Sequence, residues 1–77
     1  MDKLLGKYTV VVASDVSGDR DGIGIEVFDG EKMIMDIFRD DTKRTRKIST
    51  FNNDIDIELV EAAIAAFKKE IPWDFQD

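Results

Sequence analysis

Strand-type patterning fills the first two-thirds of this chain, and a single helical repeat follows to cover it. Tyr8-Thr9-Val10-Val11-Val12-Ala13 is β-branched and aromatic, bounded by Gly6 and a polar stretch from Ser14, which predicts a strand near 8–13. Ile23-Gly24-Ile25-Glu26-Val27-Phe28 alternates with period two and predicts a second, near 23–28. Lys32 to Arg39 and Arg44 to Phe51 predict a third and a fourth, near 32–39 and 44–51. Asp29-Gly30 marks a tight hairpin between strands two and three, because a type I′ turn needs positive φ at both central residues. Asp40 to Lys43 supplies the next turn.

Ile57, Val60, Ile64, Phe67 and Ile71 then recur at three- and four-residue steps, with Ala63 beside them, predicting a helix near 57–71. Asp56 is the expected N-cap, with Ile55 and Val60 as a hydrophobic staple across it. Glu58 and Glu61 suit the positive end of the helix dipole, Lys68 and Lys69 the negative end, and Pro72 stops the helix. The fold class is therefore α+β: a four-stranded antiparallel β-meander followed by one C-terminal α-helix, ββββα, in one domain spanning 1–77 with a tail at 72–77.

Apolar side chains leave this sheet on both sides. Ile23, Ile25 and Val27 oppose Phe28; Met33, Met35 and Ile37 oppose Ile34 and Phe38; Tyr8, Val10 and Val12 oppose Val11 and Ala13. One helix about 10 Å wide cannot cover four strands spanning about 19 Å. The remaining cover comes from the chain's own ends or from another molecule. Trp73 and Phe75 in the tail either complete the core or serve as interface anchors. With no cysteine there is no disulfide to support so small a core, so association as a homodimer is the expected remedy.

The 77 residues include 17 acidic and 11 basic side chains and no histidine, for a net charge of −6. That balance favours a basic protein partner and disfavours generic attraction to nucleic acid or anionic membrane. Without histidine or cysteine the commonest acid–base group and the commonest nucleophile and metal ligands are missing, so the reading is not an enzyme, with no cofactor and no metal. No run approaches the roughly 18 apolar residues of a membrane span, and Asp2 and Gly6-Lys7 break the faint signal-peptide pattern of the start. The expected location is cytoplasmic.

Three segments hold residues suited to chemistry. Ser17 to Gly22 has the S-x-D-x-D-G spacing that opens a calcium loop, yet Phe28 stands where the bidentate glutamate belongs, and flanking helices are missing. It reads as a polar loop. Asp36, Asp40 and Asp41 gather near the end of strand three, where carboxylates can hold magnesium as in nucleases, yet no lysine or histidine stands in a nuclease spacing with them, so they read as turn chemistry or a carboxylate surface. Lys43-Arg44-Thr45-Arg46-Lys47 holds four of the eleven basic residues. It reads as protection of an outer strand edge, or as a contact for phosphate or an acidic partner.

Met33 to Arg39, Thr45 to Ser49 and the helix to Ile71 together resemble the PC4-like single-stranded DNA-binding fold. There a meander ends in a basic strand and the C-terminal helix mediates dimerisation. The resemblance implies a dimeric nucleic-acid binder using Lys43, Arg44, Arg46 and Lys47. In size and charge the chain is also similar to bacterial immunity proteins and phage-encoded inhibitors of defence systems, which present carboxylates to basic clefts. The latter is the reading preferred from sequence: a non-enzymatic acidic interaction domain of inhibitor, immunity or anti-defence type. Its partner-binding residues would be Trp73, Phe75, Asp36, Asp40, Asp41, Glu58 and Glu61.

Overall fold

The computed structural model describes residues 3–16, 20–51 and 54–77. Five strands, β1 (Lys3–Leu4), β2 (Tyr8–Asp15), β3 (Gly22–Asp29), β4 (Lys32–Asp40) and β5 (Thr45–Thr50), precede one helix, α1 (Ile57–Glu70). They form one antiparallel sheet in sequence order, so the meander topology and the C-terminal helix are as the patterning predicts, with one strand more. The additional strand is β1, which pairs only with Tyr8 and Thr9. Two residues are too short to show a period in sequence. The tight turn after it makes β1 possible: Lys7 N–H donates to the Leu4 carbonyl at 3.0 Å, and Leu5 and Gly6 between them take φ of 53° and 68°. Positive φ at both central positions is the type I′ arrangement.

The second hairpin turns one residue later than Asp29-Gly30 suggests. Asp29 pairs with Lys32, leaving Gly30 and Glu31 as the loop. Of these only Gly30 has positive φ (62°), as a type II′ turn requires of its first central residue.

Register settles the faces. Val10, Val27 and Met35 lie in one row, and Val12, Ile25, Ile37 and Ile48 in the next. The helix lies over this face, packing against β1, β3 and β4. Leu59, Ala63, Phe67 and Ile71 meet Val10, Ile25, Val27, Met35 and Ile37 in the core. The buried helix line thus runs through Leu59, while Ile57, predicted to face the core, is 72% exposed. Asp56 makes no side-chain cap, although Ile55 and Val60 both pack on the core as the staple requires. The helix is too narrow to cover its whole face, as expected: Val12 and Ile48 at the two sides stay half-exposed.

Two corrections concern the apolar pattern. Val27 pairs with Met35 and Phe28 with Met33, so Ile34 is an extra residue in a β-bulge and is buried in the core with Met35 instead of on the opposite face. The opposite face is mixed: one row of it is Thr9, Phe28 and Met33, and the rest is more polar than the alternation suggests. Across its middle run Val11, Glu26, Asp36 and Ser49, and beside them Ala13, Gly24, Phe38 and Lys47.

Candidate functional site

The chain's functional side chains fall into three groups: a clamped tail, a charged sheet face, and an acidic end where the helix begins.

The tail is held by three arginines. Arg39 continues the parity of Met35 and Ile37 and therefore sits on the helix-covered face, where it is 4% exposed. Its guanidinium donates to the Pro72 carbonyl and, through Nε at 2.8 Å, to Asp41. Arg46, opposite it on β5, donates through Nε and Nη2 to the Trp73 carbonyl at 3.0 and 2.8 Å. The same guanidinium lies 4.0 Å from the Trp73 ring centroid and 4.1 Å from that of Phe75. Arg44, at φ 56° in the β4–β5 loop, pairs with Asp77. Trp73 also meets Phe67 edge to face, at 6.4 Å between centroids. The tail thus folds back on its own sheet, with Phe75 half-buried and Trp73 49% exposed.

This placement accounts for much of the basic run. Arg44 and Arg46 face the tail, while the side chains of Lys43 and Lys47 are exposed. It also accounts for Asp41. The Gln76 backbone N–H and the Arg39 guanidinium both hydrogen-bond its carboxylate and hold its pKa below the ordinary value.

The three aspartates of the β4 end are not one cluster. Asp36 and Asp40 are buried on the charged sheet face, and Asp41 turns towards Arg39 and the tail. Asp40 Oδ1 accepts the Lys43 backbone N–H at 2.9 Å, closing the β4–β5 loop. Asp36 Oδ2 accepts from Arg20 at 3.0 Å, while Oδ1 is buried with no hydrogen-bond partner among the described residues. Arg20 simultaneously covers the Phe38 ring at 4.4 Å.

Of the calcium-type segment, Ser17, Gly18 and Asp19 lie outside the described residues. Asp21 is engaged with the neighbouring loop: its carbonyl accepts from Asp41 N–H at 2.8 Å and its carboxylate from the Thr42 hydroxyl. Among the described residues no group of three or more acidic side chains is arranged to hold a metal ion.

The third group was only half visible in sequence. Glu58 and Glu61 are exposed on α1, as its polar positions predict. Asp29 from the β3–β4 hairpin and Asp54 and Asp56 before the helix line one hollow with Tyr8, Ile34, Ile55 and Leu59. Residues distant in sequence converge there because the hairpin and the helix start meet at one end of the sheet. Among the described residues, none of these five carboxylates makes an ion pair.

The fold is thus a small α+β domain: a five-stranded antiparallel meander with one helix on one face. No protein family, curated protein or solved structure matches the chain. Among the described residues no helix is long and apolar enough to cross a membrane.

Proposed function

We propose that this protein is a non-enzymatic acidic interaction domain that binds a larger basic protein, in the manner of an inhibitor or immunity-type protein. The observation that carries the reading is the acidic end. Asp29, Asp54, Asp56, Glu58 and Glu61 are exposed and make no ion pair among the described residues, and Ile57, between Asp56 and Glu58 in the chain, is 72% exposed. An exposed apolar side chain flanked by exposed carboxylates suits a cationic surface that surrounds an apolar contact. The arginines Arg39, Arg44 and Arg46 are meanwhile turned onto the tail. A surface of exposed carboxylates speeds encounter with a basic cleft.

The test is capture of a partner from the source cell and from its invaders, followed by reconstitution from purified components. A one-to-one complex is expected, with an association rate that falls at least about tenfold as salt is raised towards physiological strength. The variant Asp54→Asn, Asp56→Asn, Glu58→Gln, Glu61→Gln should lose that salt dependence and most of the affinity. A complex indifferent to these four changes, or no complex, would overturn the reading.

A further inference from the structure

The charged sheet face holds an arrangement that the acidic end does not explain. Gly24 lies opposite Phe38 across β3 and β4, and a Cβ on it would fall 2.8 Å from the Phe38 ring. The missing side chain lets that ring lie against the sheet. Beside it, Asp36 is 2% exposed and has Glu26 directly across the strand pair. Two carboxylates at facing positions repel each other and need a cation between or above them. The cation present is Arg20, whose side chain is 31% exposed. It stacks on Phe38 at 4.4 Å and gives Asp36 one hydrogen bond, at 3.0 Å to Oδ2. Oδ1 of the same carboxylate is buried with no hydrogen-bond partner among the described residues.

A buried carboxylate beside an aromatic face is the chemistry that recognises a guanidinium, and recognition is strongest when both oxygens are engaged. Arg20 meets only half of that demand. We infer that Asp36, Phe38 and Glu26 form a guanidinium seat, occupied from within by Arg20, which an arginine of the basic partner takes over. The second half of this inference rests on the binding role proposed above; the seat itself does not. The cleft around it, about 150 Å³, is also lined by Arg39, Asp40, Lys43 and Lys47, of which Arg39 has its guanidinium engaged with Asp41 and the Pro72 carbonyl. With Arg20 withdrawn, the cleft keeps the two buried carboxylates Asp36 and Asp40, while both lysine side chains are exposed and screened by solvent.

The first arm uses the purified chain and methylguanidinium as probe. Arg20→Ala should lower the melting temperature by several degrees. Millimolar methylguanidinium should restore at least half of that loss, whereas methylammonium or urea at equal concentration should not. Arg20→Ala combined with Asp36→Asn should show no restoration. If Arg20→Ala does not fold, Arg20→Lys serves instead, with Phe38 ring shifts in NMR as the readout. Absence of restoration and of Phe38 shifts, or equal restoration without the Asp36 carboxylate, would overturn the seat.

The second arm uses the reconstituted complex. Removing the internal competitor by Arg20→Ala should tighten partner binding several-fold. Unchanged or weaker binding would overturn the exchange while leaving the seat and the acidic end standing. Failure to find any complex would reject the binding role alone, since the methylguanidinium result needs no partner.

Discussion

Arg46 holds Trp73 twice: its guanidinium lies 4.0 Å from the indole centroid and donates two hydrogen bonds to the Trp73 carbonyl, at 3.0 and 2.8 Å. Side chain and backbone of one tail residue are therefore fixed by one planar group, which reaches Phe75 as well. Lysine cannot reproduce this, because a single ammonium lacks the fork and the flat face. The tail that could have served as an interface anchor is seated on its own sheet.

Arg46→Ala should therefore loosen the tail without unfolding the domain. The contacts are partly solvated, so the expected loss is about 1–2 kcal/mol. Urea unfolding gives the magnitude. Trp73 is the only tryptophan, and a red shift of its emission in native buffer would report its release. Arg46→Lys should fall between wild type and alanine.

The double variant Trp73→Ala, Phe75→Ala separates core from interface. Tail residues that complete their own subunit should, when removed, lower the melting temperature and leave the mass in light scattering unchanged. A drop in mass on substitution would make them interface anchors.

Arg39→Ala should be the more damaging arginine change. This guanidinium is 4% exposed, and its removal leaves the Pro72 carbonyl without that donor and Asp41 without its ion-pair partner. Losing so buried a side chain should cost more than Arg46→Ala does. Arg39→Met, which refills the apolar stem volume, should cost less than alanine in the same calorimetric comparison.

Acid should release the tail through Asp41. The Gln76 N–H and then Arg39 depress its pKa in the folded protein, so the unfolded chain takes up the proton first as pH falls. The stabilisation is complete above the ordinary carboxylate pKa and is lost as pH drops through the depressed native value. In Asp41→Asn that contribution is missing at every pH. The gap in melting temperature between wild type and this variant should be widest near neutrality and close on acidification. A constant gap would show that the carboxylate's charge is not what holds the tail.

The order of strands, the hairpins and the C-terminal helix were legible because each rests on local periodicity over six or more residues. What was not legible depends on single residues. The bulge at Ile34 exchanges the faces expected for Met33 and Ile34, and no period records an inserted residue. Leu59 replaces Ile57 on the buried helix line because the line is set by where the helix crosses the sheet. Arg39 carried a usable signal: it occupies the next position of the Met33-Met35-Ile37 alternation, so a charge was due on the core face and needed a partner there. The partner proved to be the tail and Asp41, distant or non-periodic elements that strand patterning does not rank. The acidic end was half visible for a related reason, since Asp29 joins Asp54 and Asp56 only through tertiary packing.

The resemblance to a single-stranded DNA-binding fold makes a measurable claim. Lys43, Arg44, Arg46 and Lys47 would have to face phosphates, yet Arg46 and Arg44 are engaged by Trp73, Phe75 and Asp77. The remaining surface carries excess acid. A titration with labelled single-stranded oligonucleotide at low salt should show no tight binding. Submicromolar affinity that falls steeply with salt and is abolished by Arg44→Glu, Arg46→Glu would reverse this expectation.

The β1–β2 turn offers a stabilising change that tests the first hairpin. Leu5 has φ 53°, in the left-handed region, where a Cβ costs roughly 1–2 kcal/mol for ordinary residues and less for Asn. Its side chain is 58% exposed, so little burial offsets that cost. Gly6 already holds the second central position at φ 68°. Leu5→Asn would create Asn-Gly, the pair that type I′ turns favour. The expected gain is about 1 kcal/mol, seen as a melting temperature several degrees higher, since 1 kcal/mol shifts a domain of this size by about 4–8 °C. Leu5→Val should move the other way, because a β-branched side chain is least tolerant of positive φ. If asparagine destabilised as much as valine, the turn would not have the conformation found for Leu5, and the short β1 strand would lose the geometry that pairs it with Tyr8 and Thr9.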